Sequence, residues 1–517
     1  MVGKVLESIE TLFYSLDISQ VEKALELGAT IPEFELEQRL SDYEELDAIF
    51  FQYKVPTKAE QVVRLNASKL TCYKRRIKEL PATVKWLKNL RELNLKGCRR
   101  LTQLPKNLTM LVQIEVLDLT DCNSLVTLPK EFFKLQNLKS LHLKGCKKLV
   151  ELPPKMPQLI QLKEIDLTDC WRLRSLPNHI GTLPSLETLT LKECRVLTTI
   201  PHSIGKMEHL KKLEIVSCKR ISTLPKKLGD LRNLQKLVLS SLKIVALPDK
   251  LNCLTNLTEL NISYCSKIDY LPEGVTELTQ LKVLNLQGCT SLKNLPENIE
   301  NLQNLEILYF DKCQQLMQLP PHLSKLSQLR ELSITCDQVA VLPTGMGQLT
   351  QLEALNLSCA TLAVFPQELF KLTTLKTLYI RSNCITQLPE GIQQLQGLEE
   401  LMIVCPSIAS LPKDIGYLPN LKSLMIGSSD SLKRLPKSIT KLKAYDFYLS
   451  ECLHLRVTRG QKRWLKKIHG QGGYVGLNSD WFLMSVKKRL KKRKQEENTR
   501  AMARELGPLL LDMIWKK

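Results

Sequence analysis

A large apolar residue followed by proline recurs along the chain at Leu80, Leu104, Leu128, Leu152, Leu176, Ile200, Leu224, Leu247, Leu271, Leu295, Leu319, Leu342, Phe365, Leu388, Leu411 and Leu435. Each mark lies 23 or 24 residues from the next. A unit this short cannot close a hydrophobic core by itself, so it must stack on copies of itself. The 517 residues therefore need not be divided into the roughly three or four globular domains that a chain of this length otherwise suggests.

Between marks the pattern is LxxLxLxxCxxLxxLPxxIxxLxx, as in Leu90, Leu93, Leu95, Cys98, Leu101, Leu104 and Pro105. LxxLxL is a short strand whose alternate side chains point inward, and stacked coils pair these strands into a parallel sheet. Proline closes the strand side of each coil and opens LPxxIxxL, which has room for a turn or two of helix or 3₁₀. The expected fold is an α/β solenoid: a right-handed leucine-rich repeat horseshoe with a concave parallel β-sheet, about 16 coils of 23–24 residues and helical flanks at both ends. We expect an acidic helical N-terminal cap over 1–60, the solenoid over 61–456 and a basic, partly helical tail over 457–517. Val62, Leu65 and Leu70 read as a degenerate first coil, and Phe447, Leu449, Cys452 and Leu455 as an irregular last one.

Charge follows the same division. Residues 1–60 carry 5 Lys and Arg against 13 Asp and Glu, whereas residues 453–517 carry 17 against 5, within a chain of net charge +21. The head shows helical periodicity (Leu6, Ile9, Phe13; Val21, Leu25; Leu36, Leu40; Leu46, Ile49, Phe50), with Asp17 or Ser19 placed to cap the segment that holds Val21. Glu7 and Glu10 stand where a signal peptide needs an apolar core, and no stretch is long and apolar enough to span a membrane. The expected location is cytoplasmic or nuclear.

Ten cysteines share the repeat position just after the strand: Cys98, Cys122, Cys146, Cys170, Cys194, Cys218, Cys265, Cys289, Cys313 and Cys452. The side chain there points into the coil, and a thiol packs as a small hydrophobe and weak donor, so a structural ladder in a reducing compartment is expected rather than a disulfide framework. No CxxC or CxxH pair offers zinc ligands, no HExxH or nucleophile motif surrounds the histidines, and Gly470, Gly472, Gly473 and Gly476 lack phosphate-loop spacing. We expect no cofactor and no catalysis; after Cys452 the chain has no cysteine to serve a thiol-dependent ligase.

Binding capacity resides in the variable positions of xLxLxx, which project from the concave sheet. LNLKGC, LDLTDC, LHLKGC, IDLTDC and LTLKEC alternate, setting Lys96, Lys144 and Lys192 on every second strand with Asp118 and Asp166 between them. Arg99, Arg100, Lys147, Lys148, Arg195, Lys219 and Arg220 follow along one rim, either as a solvated edge or as an attractor for an acidic protein surface. Farther on, the projecting residues become apolar at Tyr309, Tyr379, Met402, Val404 and Met425, a composition suited to the centre of an interface on consecutive coils. The tail holds Lys487, Lys488, Arg489, Lys491, Lys492, Arg493 and Lys494. Such a run is compatible with a nuclear import signal, a calmodulin-binding helix, or contact with anionic lipid, nucleic acid or another phosphate-bearing ligand, as well as with a merely solvated charge run.

Strings such as LRELNLKGCRRLTQLP (Leu90 to Pro105) and LKVLNLQGCTSLKNLP (Leu281 to Pro296) resemble the repeat region of plant disease-resistance receptors over about 61–456. The 23-residue coils from Leu342 to Leu411 are more similar to the plant intracellular Ras-group leucine-rich repeat proteins. The resemblance implies a cytoplasmic recognition or scaffold role in defence or signal transduction, with a protein partner on the concave face. It does not carry over ATP-switched oligomerisation, because no nucleotide-binding module or P-loop is present and residues 1–60 are too few for a Toll-type domain. The expectation is thus a non-catalytic scaffold; the alternative is an adaptor localised by its basic tail.

Overall fold

The middle leucine of LxxLxL sets the strand register. The computed structural model describes residues 2–72, 75–444, 446–452, 454–471 and 474–476, grouped into two units, 1–259 and 260–517. In the first unit Leu70, Leu93, Leu117, Leu141, Ile165, Leu189, Leu213 and Leu237 are parallel partners on successive strands. In the second, Leu284, Leu308, Leu332, Leu355, Leu378, Leu401, Leu424 and Phe447 are related in the same way. Every one of these side chains is buried. The repeat length is therefore the register shift of the sheet, and each unit forms the expected solenoid.

Each strand from Lys69–Thr71 to Ser423–Gly427 is followed by a 3₁₀ turn on the opposite side of the coil, such as Lys106–Met110 or Gln367–Lys371. Proline starts many of them: Pro105 has φ −67° and ψ 148°, so the ring pre-sets the turn and removes an N–H that would lack a partner. Asparagines at the start of the returning segment tie coils together. Asn137 Nδ2 donates to the Val112 carbonyl at 2.8 Å, and Asn304 Nδ2 to that of Thr279 at 2.8 Å.

The cysteine ladder completes the interior. Cys146 Sγ donates to the Leu119 carbonyl at 3.2 Å and Cys313 Sγ to that of Leu286 at 3.4 Å, in each case across to the preceding coil. The ladder is longer than the sequence reading allowed. Cys336 and Cys359 make the same bond, to Phe310 and Ile334, and Cys405 is buried at the equivalent place. These three were missed because their coils lack one residue. Where 24-residue coils place a left-handed residue before the cysteine, such as Gly97 at φ 77° or Asp169 at φ 60°, the coils of Cys336, Cys359 and Cys405 have none. In the coil between those of Cys359 and Cys405, Ser382 takes the position, its hydroxyl donating to the Leu362 carbonyl at 2.6 Å.

All sixteen cysteines are free thiols, and burial pushes those of Cys359 and Cys405 up to about 11. Only the thiolate alkylates. Iodoacetamide applied to the native protein at mildly alkaline pH is accordingly expected to label exposed Cys384 first and to reach the ladder only after denaturant is added. Peptide mapping after a timed pulse checks this.

Four helices precede the first strand: α1 (Val2–Phe13), α2 (Ile18–Ala29), α3 (Leu36–Phe50) and α4 (Lys58–Leu65). Asp17 caps α2 by accepting from Ser19 and Gln20 backbone N–H. Val62 and Leu65, expected in a degenerate coil, instead lie in α4. Thr57 and Glu60 close a reciprocal capping box there, so helix persists past residue 60. Phe13, Phe34 and Tyr43 form the interior of this flank, with the Arg39 guanidinium 4.2 Å from the Phe34 ring and 4.6 Å from the Trp86 ring. Trp86 Nε1 donates to Asp42 at 2.8 Å, tying α3 to the 3₁₀ segment Ala82–Trp86.

At the other end a helix that the sequence reading did not locate, α5 (Arg459–Gly470), follows a capping box of Thr458 and Gln461. Its buried side, Gln461, Trp464, Leu465 and Ile468, lies against the last regular coil. The Trp464 ring stands 5.0 Å from Phe447 at 73°, its Nε1 donates to the Leu442 carbonyl at 3.2 Å, and Gln461 Nε2 donates to that of Leu435 at 3.1 Å. Tyr474–Gly476 then pairs parallel with Asp446–Ser450. Among the described residues no helix is long and apolar enough to cross a membrane.

Candidate functional site on the concave sheet

Strand alternation produces a row of projecting side chains on each unit. In the first unit the row is Asn94, Asp118, His142, Asp166, Thr190 and Glu214. Its acids also serve the backbone: Asp118 and Asp166 accept from the N–H groups of Thr120 and Thr168 at 2.8 and 2.9 Å, as the Asn94 side chain does from Lys96. An Asx residue at this position closes the strand's exit turn. The predicted Asp118 and Asp166 thus have a structural task, whatever they bind.

The lysines lie one step farther along the strand direction. Lys96 and Lys144 are exposed, but Lys192 pairs with Glu214 at 2.6 Å, and Lys212 joins the same carboxylate at 3.0 Å. Burial alone would raise the Glu214 carboxyl, yet hydrogen bonds from Lys192 and Lys212 and their charges outweigh it and hold the group below its ordinary 4.5. A depressed carboxyl contributes stability above its unfolded value and loses it as pH falls through the folded one. Glu214→Gln should therefore cost about 1 kcal/mol at neutral pH, a cost that vanishes in acid. Denaturant titrations of both proteins across that range check the sign.

On the rim, Lys147 Nζ and the Arg195 guanidinium lie 4.2 and 3.9 Å from the centre of the Trp171 ring, which the sequence reading had not singled out. This stacking organises part of the basic edge.

In the second unit the row is Asn285, Tyr309, Ser333, Asn356, Tyr379, Met402, Met425 and Tyr448. Tyr379, Met402 and Met425 are direct neighbours in register and all half-buried, whereas Leu378, Leu401 and Leu424 beside them fill the interior. Val404 is one row over, between Arg381 and Gly427. Tyr309 does not belong to the contiguous patch, contrary to the consecutive-coil expectation. Ser333 and Asn356 stand between it and Tyr379, and its hydroxyl is bonded to Glu331. The patch instead continues to buried Tyr448, which sits just past the last Leu-Pro mark.

Lys487, Lys488, Arg489, Lys491, Lys492, Arg493 and Lys494 lie outside the described residues. Among those described, no group of three or more His, Cys, Asp or Glu is placed to hold a metal ion.

Residues 154–270 and 263–383 match the family described as leucine-rich repeat region. No curated protein is similar to the chain in sequence. Among solved structures, a leucine-rich repeat protein of Leptospira interrogans is 26% identical, with a TM-score of 0.63 over 81% of this chain and 98% of that one. The leucine-rich repeat domain of the type III effector XopL is 30% identical over 40% of this chain and 72% of that one, with a TM-score of 0.37. TLR13 in its complex with ssRNA13 shares the fold at 20% identity and a TM-score of 0.54, over 79% of this chain and 61% of that one. Leucine-rich repeat folds generally mediate protein–protein interaction and are typically not enzymes. The periodic leucines, the parallel ladder, the family match over 154–383 and the likeness to the Leptospira interrogans protein make the chain a leucine-rich repeat protein.

Proposed function

We propose that this protein is a non-catalytic, intracellular interaction scaffold or recognition protein in signal transduction or defence, and that its partner docks on the concave face of the second unit. The observation that carries this reading is the apolar run Tyr379, Met402 and Met425, held side by side on adjacent strands and still half-exposed. Interfaces are centred on aromatic and methionine side chains, and nothing in the interior requires these three.

The double substitution Met402→Asp plus Met425→Asp is expected to lower partner recovery from native lysate at least about ten-fold while leaving the melting temperature nearly unchanged, since both positions are half-exposed. Recovery equal to wild type would remove this site.

A second reading, an adaptor whose basic C-terminal part binds acidic protein, calmodulin, nucleic acid or anionic lipid, draws support from α5. Its outer side exposes Arg459, Lys462, Arg463, Lys466 and Lys467. Deleting 477–517 together with reversing the exposed charges of Lys462, Lys466 and Lys467 tests it, because both changes spare the buried side of the helix that covers the last coil. Loss of partners or localisation in that variant, with the Met402 and Met425 pair intact, would favour the adaptor.

A further inference from the structure

Beside the apolar run the concave face holds an arrangement that folding alone does not explain. Asp311 projects on the same side as Tyr309, opposite buried Leu308 and Phe310, and its own exposure is 0%. One carboxylate oxygen, Oδ1, accepts from the hydroxyls of Ser333 and Thr335, the latter at 2.8 Å. Ser333 in turn accepts from Asn356 Nδ2 at 2.8 Å. The network stops there. Asp311 Oδ2 and Asn356 Oδ1, joined through Ser333, have no hydrogen-bond partner.

A buried carboxylate with one oxygen unpartnered is costly, and native chains rarely keep one without a use. Burial pushes the Asp311 carboxyl up; hydrogen bonds from Ser333 and Thr335 and the charge of Lys312 offset only part of that. Asparagine here could accept from the same two hydroxyls without the charge.

The two unpartnered atoms are both acceptors. Two acceptors lacking donors match a group rich in N–H and poor in lone pairs. A phosphate or carboxylate would add acceptors to acceptors. We propose that Asp311 takes a basic side chain, arginine or lysine, from the polypeptide that docks on the concave face, and serves as its counter-charge. The proposal rests on the concave-face reading above and adds the chemistry of the anchor. Tyr264, 42% exposed, has its ring against Gly288, and the Gly288 N–H donates to the Asp311 backbone carbonyl at 2.6 Å.

The test uses the full chain and an immobilised array of short Gly-Ser peptides that carry one leucine and one phenylalanine around a central arginine, lysine, citrulline or glutamate. Citrulline keeps the shape of arginine without its charge. A chain of net charge +21 repels cations non-specifically, so general electrostatics favours the glutamate peptide. We expect arginine and lysine peptides to be retained about ten-fold or more over citrulline and glutamate ones. Asp311→Asn should erase that preference while melting no lower than wild type near neutral pH. Equal retention of arginine and citrulline peptides, or a preference that survives Asp311→Asn, overturns the proposal. In the same array Met402→Asp plus Met425→Asp separates the two ideas. If that pair abolishes retention but the central residue is immaterial, the docking face stands and the anchor falls.

Discussion

Leu286→Asp unfolds the coils around it, lowering stability by about 4 kcal/mol or more. Leu286 is 0% exposed; its N–H donates to the Tyr309 carbonyl at 2.7 Å and its own carbonyl accepts from Cys313 Sγ. A carboxylate at that place has neither water nor a cation. Stability in a stacked repeat is a sum over neighbouring coils, so the damage stays local and new protease cuts cluster near residues 262–313. Asn285→Asp, one residue earlier, serves as control. It projects from the concave face, and its side-chain oxygen accepts from the Gln287 N–H at 2.9 Å, a bond that aspartate can keep. Limited proteolysis should separate the two variants sharply, and equal resistance would contradict the alternation on which the concave rows depend.

Trp464→Ala is the second large effect, about 3–5 kcal/mol. The indole stacks edge-on against Phe447, donates to the Leu442 carbonyl and is only 7% exposed. Without it the terminal coil presents its apolar flank to water, and a solenoid frays from an uncovered end. Hydrogen exchange should accelerate in Asp446–Ser450 and then in Ser423–Gly427, with the first unit unaffected. Unchanged protection of those strands would mean that α5 does not hold the end of the stack.

The coil interior could be read from the amino acids because it repeats. Leu-Pro marks and LxxLxL strings specify strand, turn and register together, and one residue more or less inside LxxLxL would turn that strand inside out. Legibility failed where the repeat changes length. Cys336, Cys359 and Cys405 left the tenfold cysteine pattern because their coils drop the left-handed residue, although a search allowing one deletion before the cysteine would have found them. Helix boundaries were harder. The Thr57 and Glu60 box outranks the leucine spacing of Val62 and Leu65, and the pattern of Gln461, Trp464, Leu465 and Ile468 was hidden by surrounding basic residues.

For the site, alternation was enough to place Tyr379, Met402, Met425 and Val404 on the concave face, but not to say which side chains are already engaged. Lys192 is held by Glu214, and Tyr309 bonds Glu331 and stands apart from the patch. Asp311 could not be recognised at all. Its neighbours come from coils on either side, and only stacking reveals that it is wholly buried with one oxygen unanswered.

The most direct measurement of concave-face recognition is site-specific photo-crosslinking in native lysate. A benzophenone amino acid is placed at Met425 on the strand Ser423–Gly427, or at Tyr417 in the 3₁₀ segment Ile415–Tyr417 of the same coil's outer side, where exposure is 51%. Adducts from position 425 with none from 417 are the predicted result. Adducts from 417 alone would place the partner on the outer surface and contradict recognition by the sheet.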